Sequence, residues 1–210
     1  MPIITRLKAG QRDPTRVNLY LDDQFAFSLS AEVVISQSLK VGLNLTTLEL
    51  TTLRSMGEEE RLLAKILNFL SYRPRSRREV EDRLKKYLYK QDNQATTIAS
   101  ILERLEKLNY IDDLEFATWF VESRMNHSPR STRLLTSELI QKGIDRSTIS
   151  QVLASFANNS QALTTLINKK SHLQEDKLIS HLARRGFSYS EIKDALSKQA
   201  EWGRMSISTR

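Results

Sequence analysis

Leu135-Thr-Ser-Glu-Leu139-Ile-Gln-Lys142-Gly143-Ile144, with Ile149 and Leu153 after it, decides the architecture, because the chain repeats it. Moved on by 43 residues, the same frame reads Leu178, Leu182, Gly186, Phe187, Ile192 and Leu196. Every apolar position is apolar again, and the two glycines fall in register. Leucines four apart share one helix face. A glycine just past them stops the helix in the left-handed conformation. Ser147 or Ser188 then caps a second helix, and Ser188-Tyr189-Ser190-Glu191 is a full capping box.

The frame extends upstream. Pro129-Arg130-Ser131 precedes Leu135 and Leu139 as Pro74-Arg75-Ser76 precedes Val80 and Leu84, 55 residues earlier. Ser76-Arg77-Arg78-Glu79 is another capping box. Ile98 and Leu102 match Ile149 and Leu153, with a longer turn over 90–95 in place of the glycine turn. Leading helices are predicted over 58–71, 114–127 and about 161–171. The chain therefore reads as three successive three-helix units. A unit of about 40–50 residues buries too little alone, whereas stacked neighbours share a core. The predicted class is mainly α: three tandem three-helix repeats in an elongated, curved stack behind a small N-terminal β-hairpin region.

That hairpin is legible in two alternating runs. Val17, Leu19 and Leu21 alternate with Asn18 and Tyr20; Phe25, Phe27 and Leu29 alternate with Ala26 and Ser28. Period two places each apolar set on one buried face. Asp22-Asp23 supplies the turn. A lone hairpin is marginal in water, so it must lie on a preceding strand near 3–8 or on the following helix. Ser30 caps a short helix reaching about Leu39, Gly42 breaks the chain, and Thr46-Thr47-Leu48-Glu49 opens the next helix as a capping box. The predicted boundaries are 1–55, 56–111, 112–158 and 159–202, with a tail at 203–210.

Composition narrows the chemistry. The 210 residues contain no Cys, which removes disulfides, thiolate metal sites and thiol nucleophiles. Only 6 Gly are present, none spaced for a phosphate cradle. His127, His172 and His181 lack metal-ligand spacing. Ser190 and Lys193 match S-x-x-K in form, but Ser190 lies inside a capping box. Asp112 and Glu115 read as an N-cap and first-turn pair rather than a carboxylate site. Phe116, Trp119 and Phe120 fall at helical spacing with Leu114 and Val121, as core residues do. No catalytic, cofactor or metal site is expected, and the chain reads as a non-enzyme. The opening Met1-Pro2-Ile3-Ile4-Thr5-Arg6 is not a secretory signal, and no run of 18 apolar residues occurs. A cytoplasmic location is expected.

Charge points to a polyanionic or acidic partner. The net formal charge is +7, and residues 128–210 carry 13 basic against 7 acidic groups. A second concentration lies between Tyr72 and Lys90, with 8 basic against 3 acidic residues. The candidate partner-binding residues are Arg73, Arg75, Arg77, Arg78, Lys85 and Lys86 in the first repeat, with Arg130, Arg133, Lys142, Arg184 and Arg185 downstream. Arg77 and Arg78 stand in a helix's first turn, where cations oppose the macrodipole.

Three blocks carry a family resemblance. Leu70-Ser71-Tyr72-Arg73-Pro74-Arg75-Ser76, with Glu79 and Leu84, resembles the signature of the RecX family of recombinase regulators. So does Leu108-Asn109-Tyr110-Ile111-Asp112-Asp113 with Phe116-Ala117 and Arg124, and so does Glu138-Leu139 through Lys142-Gly143-Ile144. The first repeat departs from the pattern, since Tyr87-Leu88-Tyr89-Lys90 runs on without glycine; the third lacks Pro-Arg-Ser. The resemblance implies tandem three-helix repeats, no catalysis, and binding to the RecA recombinase or its filament on DNA. It also implies inhibition of strand exchange, ATP hydrolysis and coprotease activity, a place in the SOS response, and direct contact of some members with single- or double-stranded DNA. A monomer without membrane attachment is expected. The rival reading is a DNA-binding helical module with no obligatory protein partner.

Overall fold

The computed structural model describes residues 1–11, 13–89, 94–156 and 159–207. Two compact units result: 1–73 with 81–107, and 74–80 with 108–210. The turn expected over 90–95 lies largely outside the described residues.

The predicted hairpin is two thirds of a sheet. Strands β1 (Ile4–Ala9), β2 (Arg16–Leu21) and β3 (Gln24–Ser30) form an antiparallel meander in that order. Asp22 and Asp23 both take positive φ, 48° and 64°, the geometry whose twist suits a two-residue hairpin loop. One sheet face buries Ile4, Leu19 and Leu29 with Val33, Leu39 and Leu45. The alternation fails at one residue. Tyr20 pairs with Phe25 and Leu19 with Phe27, so Ala26 is an extra residue, and Phe25 turns outward to 59% exposure. Since Asp23 pays the left-handed penalty of about 1 kcal/mol or more, Asp23→Gly should raise stability by up to about 1 kcal/mol; urea unfolding measures it.

Helix α1 (Ala31–Ser36) is shorter than its pattern suggests. Ser30 caps it through the N–H of Val33, 3.1 Å. Ser38 then takes φ 50° and the N–H of Leu39 returns to the carbonyl of Val34, which closes the helix before Leu39. The Thr46 capping box opens helix α2 (Thr47–Leu70), which runs unbroken for 24 residues through the two helices read separately in the sequence. Gly57, in its middle, lies so close to β3 that a Cβ would meet the carbonyl oxygen of Ser28 at 2.7 Å. Tertiary packing thus holds the helix together where local propensity is lowest.

Helices α3 (Arg77–Tyr87) and α4 (Gln94–Lys107) complete the first repeat. The second consists of α5 (Asp113–His127), α6 (Thr132–Gln141) and α7 (Arg146–Phe156). The third consists of α8 (Asn159–Lys169), α9 (Glu175–Arg184) and α10 (Tyr189–Ile207). Phe116, Phe120 and Val121 form the second repeat's core with Leu135, Leu139 and Ile149; Trp119 packs beside them, while Leu114 is exposed. Leu163, Leu166, Leu178, Leu182, Phe187 and Ile192 repeat the arrangement in the third.

The caps follow the sequence with one change of register. Ser188 and Glu191 form the expected box, the N–H of Glu191 reaching Ser188 Oγ at 3.3 Å and the N–H of Ser188 reaching Glu191 Oε2 at 2.7 Å. Asp145, rather than Ser147, caps α7 by accepting from the N–H of Thr148 at 3.0 Å; it stands 43 residues before Ser188, in the repeat's own register. Hydrogen bonds from Ser147 and then Thr148 hold the Asp145 carboxyl well below the ordinary aspartate value of 3.8. A depressed folded pKa stabilises fully above the unfolded value and is lost as pH falls through the folded one. The stability difference between parent and Asp145→Ala should therefore be largest near neutrality and shrink below about pH 4, which urea midpoints at the two pH values would measure.

Candidate polyanion-binding surface

The Pro-Arg-Ser triplets and the glycine turns are halves of one contact, made twice in the second unit. Ser76 and Ser131 are the buried polar residues among those described, 0% and 1% exposed. Ser76 Oγ accepts from the N–H of Glu79 at 3.2 Å and donates to the carbonyl of Lys142 at 2.8 Å. Ser131 Oγ likewise accepts from the N–H of Leu134 at 3.2 Å, and its backbone N–H donates to the carbonyl of Arg185 at 3.0 Å. Gly143 and Gly186, at φ 83° and 89°, present bare backbone to the incoming helix start. A Cβ on Gly143 would meet Arg78 Cβ at 2.7 Å, and one on Gly186 would meet Leu134 Cβ at 2.6 Å. Each triplet thus caps a helix start and sets those first residues against a glycine turn.

This contact gives several candidate cations a structural job. Lys142 Nζ pairs with Glu79 Oε1 at 2.7 Å. The Arg78 stem covers Gly143. Arg133, 55 residues after Arg78, donates from Nη2 to the carbonyl of Gly186 at 3.2 Å. Arg77 is exposed, and its backbone N–H is received by Asp113 Oδ1 at 2.8 Å. Burial raises the Asp113 carboxyl, opposed by that hydrogen bond. Arg75 is half-buried. Of the other first-repeat candidates, which belong to the first unit, Arg73 is half-buried, Lys85 pairs with Glu81 at 2.7 Å, and Lys86 is exposed beside Asp82 and Tyr89.

The remaining candidates fall in one electrostatic cluster. Arg130 and Arg124 converge on the carboxylate of Glu138, the latter at 3.2 Å. Burial, then Arg124 and Arg185, lowers the Arg130 pKa. Burial, then Arg185, Lys170 and Arg184, lowers that of His181. Like charges close enough to depress one another cost stability in the free protein. Arg184 and Lys177 remain exposed on α9, and Arg185 and Lys170 are half-exposed. Of this cluster, Arg130, Arg184 and Arg185 are among the cations expected from the sequence, whereas Arg124, Lys170 and His181 are not. The spacing of His181, Arg184 and Arg185 along one helix was the available signal.

Among the described residues no group of His, Asp or Glu is disposed to hold a metal ion, and no helix is long and apolar enough to cross a membrane. The fold defines a tandem three-helix-repeat protein with a small antiparallel sheet in front. The chain matches the family described as Regulatory protein RecX N-terminal domain over residues 2–46. It matches the RecX first three-helix domain over 63–105 and the second over 112–153. It is 33% identical to the Regulatory protein RecX of Bacillus subtilis (strain 168) over 208 residues, covering 94% of this chain and 77% of that one. Identity to the Listeria monocytogenes serotype 4a (strain HCC23) protein of the same name is 31%, covering 93% and 75%. A solved structure titled "Crystal structure of regulatory protein RecX" shares the fold at TM-score 0.68 and 24% identity, covering 92% of this chain and all of the other. RecX from Lactobacillus salivarius superposes at TM-score 0.53 with 27% identity, over 67% of this chain and 95% of that one. The chain belongs to the RecX family of regulatory proteins.

Proposed function

We propose that this chain is a non-catalytic, cytoplasmic, monomeric regulator that binds the RecA recombinase, or its filament on DNA, and inhibits recombination, ATP hydrolysis and coprotease activity. The observation that carries this reading is the match to RecX regulators along nearly the whole chain. The cluster around Arg184 and Arg185 supplies a physical means. Its mutual repulsion is relieved by an acidic surface or by phosphate, and arginine meets either through paired N–H donors. First-repeat cations such as Lys86 add a second contact on the same chain. Two linked contacts with a repeating target combine through effective concentration, so each can be weak.

The second reading, direct DNA binding without a protein partner, is favoured by the same positive cluster. The two separate in one titration. RecA-catalysed ATP hydrolysis on single-stranded DNA should fall as this protein is added, at DNA concentrations where the protein alone leaves the DNA free. Unchanged hydrolysis at saturating protein would overturn the proposal. Tight binding to DNA alone, with log affinity falling by roughly 0.9 per phosphate contact against log salt, would install the rival.

A further inference from the structure

We infer that the outward face of the N-terminal sheet is a binding site for single-stranded nucleic acid, independent of the helical repeats. Two irregularities, one in each strand flanking β2, create this face. In β1, Ile4 pairs with Leu21 and Arg6 with Tyr20, so Thr5 is an extra residue. In β3 the extra residue is Ala26. Together they bring Arg6 and Phe25 to the side of Tyr20 while Ile4, Leu19 and Phe27 stay on the core side. Bulges re-aim side chains in this way at the margins of binding sites.

The resulting row is ordered. The Arg6 guanidinium lies 4.9 Å over the Tyr20 ring, and Phe25 meets that ring edge-on at 5.9 Å. Tyr20 therefore props a cation on one side and an aromatic platform on the other. Phe25 is 59% exposed, although the alternation of its strand would bury it. The next row is Lys8, Asn18 and Ser28 in register. Arg16 closes the face, held by hydrogen bonds from Nε to Ser28 Oγ at 3.1 Å and from Nη2 to the Ser28 carbonyl at 2.7 Å. A cleft of about 450 Å³ opens over Lys8, Arg16, Asn18 and Tyr20.

Charge selects the occupant. The face carries Arg6, Lys8 and Arg16 and presents no carboxylate from a strand position. Asp13 lines the cleft as well and offsets the charge of Arg16, so Arg6 and Lys8 carry the positive charge offered to a ligand; Asp22 accepts from the N–H of Ile3 at 3.1 Å. Asp23 stands at the hairpin tip. Cations interleaved with an upright exposed aromatic suit phosphates joined to unstacked bases: Arg6 and Lys8 meet the backbone, and a base lies on Phe25. A duplex hides its base faces and offers Phe25 nothing.

Fluorescence anisotropy of a labelled oligothymidylate with the full chain, and no recombinase, tests the site. Phe25→Ala should weaken binding about tenfold, and Phe25→Tyr should restore it. An abasic strand should bind the parent about as weakly as oligothymidylate binds Phe25→Ala. Arg6→Ala with Lys8→Ala should lower the slope of log affinity against log salt by about 1.4, two contacts at roughly 0.7 each. Lys107→Ala, which removes an exposed charge from α4, should leave the Phe25 dependence intact. Three results would overturn the inference: no measurable binding, affinity indifferent to Phe25, or equal Phe25 dependence on duplex. None of them touches the recombinase reading, because that partner is absent from the assay.

Discussion

Gly186→Ala is expected to lower the unfolding free energy by about 2–5 kcal/mol. Two costs add. At φ 89° a side chain pays roughly 1–2 kcal/mol for the left-handed conformation. The added Cβ would also lie 2.5 Å from Ser131 Oγ and 2.6 Å from Leu134 Cβ, and forcing such contacts costs about 1–3 kcal/mol more. The chain holds its own control. Gly42 has the same φ of 89° with nothing within 4 Å of its would-be Cβ, so Gly42→Ala should show the conformational cost alone, about 1–2 kcal/mol. Gly143→Ala should match Gly186→Ala, because the atom nearest its would-be Cβ, at 2.7 Å, is Arg78 Cβ, which side-chain rotation does not move. Urea unfolding followed by far-ultraviolet circular dichroism, which reads the helices of both units, gives the order. Equal losses at Gly42 and Gly186 would mean that Gly186 is only a helix stop.

That comparison shows where sequence reasoning reached its limit. Gly143 and Gly186 were readable as helix stops, and Ser76 and Ser131 as caps, because each role is satisfied within a few residues. Their shared contact joins positions 66 residues apart for Ser76 and Lys142. Local periodicity carries no information at that range, so a complete local explanation hid the tertiary one. The recurrence of both signals in register was the available trace. Phe25 failed for a different reason: strict alternation places it inside, and nothing in Gln24-Phe25-Ala26-Phe27 announces the extra residue. The helix opened by the Thr46 capping box and the one read over 58–71 are a single α2, because the absent Cβ of Gly57 serves packing against β3, a contact that local pattern does not announce. The basic excess was legible, but composition does not distinguish Lys142, which holds Glu79, from Arg184, whose Nε reaches only its own helix at Ser180.

The same distinction yields the second large effect. Arg184→Glu with Arg185→Glu should abolish inhibition of RecA-catalysed ATP hydrolysis, or raise the half-inhibitory concentration at least tenfold, while the helical circular dichroism stays unchanged. Ser131 loses nothing, because it bonds the backbone carbonyl of Arg185. Stability should change little, since removing like charges from beside Arg130 and His181 offsets the cost of carboxylates at the C-terminal end of α9. His181 reports this directly. Arg185 and Arg184 both lower its pKa in the parent; carboxylates in their places favour the imidazolium, so its titration followed by NMR must move to higher pH. Lys142→Met is the converse. It leaves Glu79, whose side chain is 15% exposed, without its ammonium partner, and should cost about 1 kcal/mol once partial solvent screening is allowed for, with inhibition retained at temperatures where the fold is intact. Raising salt should weaken the parent's inhibition, because exposed charges are screened beyond about 8–10 Å, and should leave the doubly reversed variant with nothing further to lose. Full inhibition by that variant, with the His181 shift observed, would remove the α9 cluster from the partner-binding surface and leave the first-repeat cations to account for it.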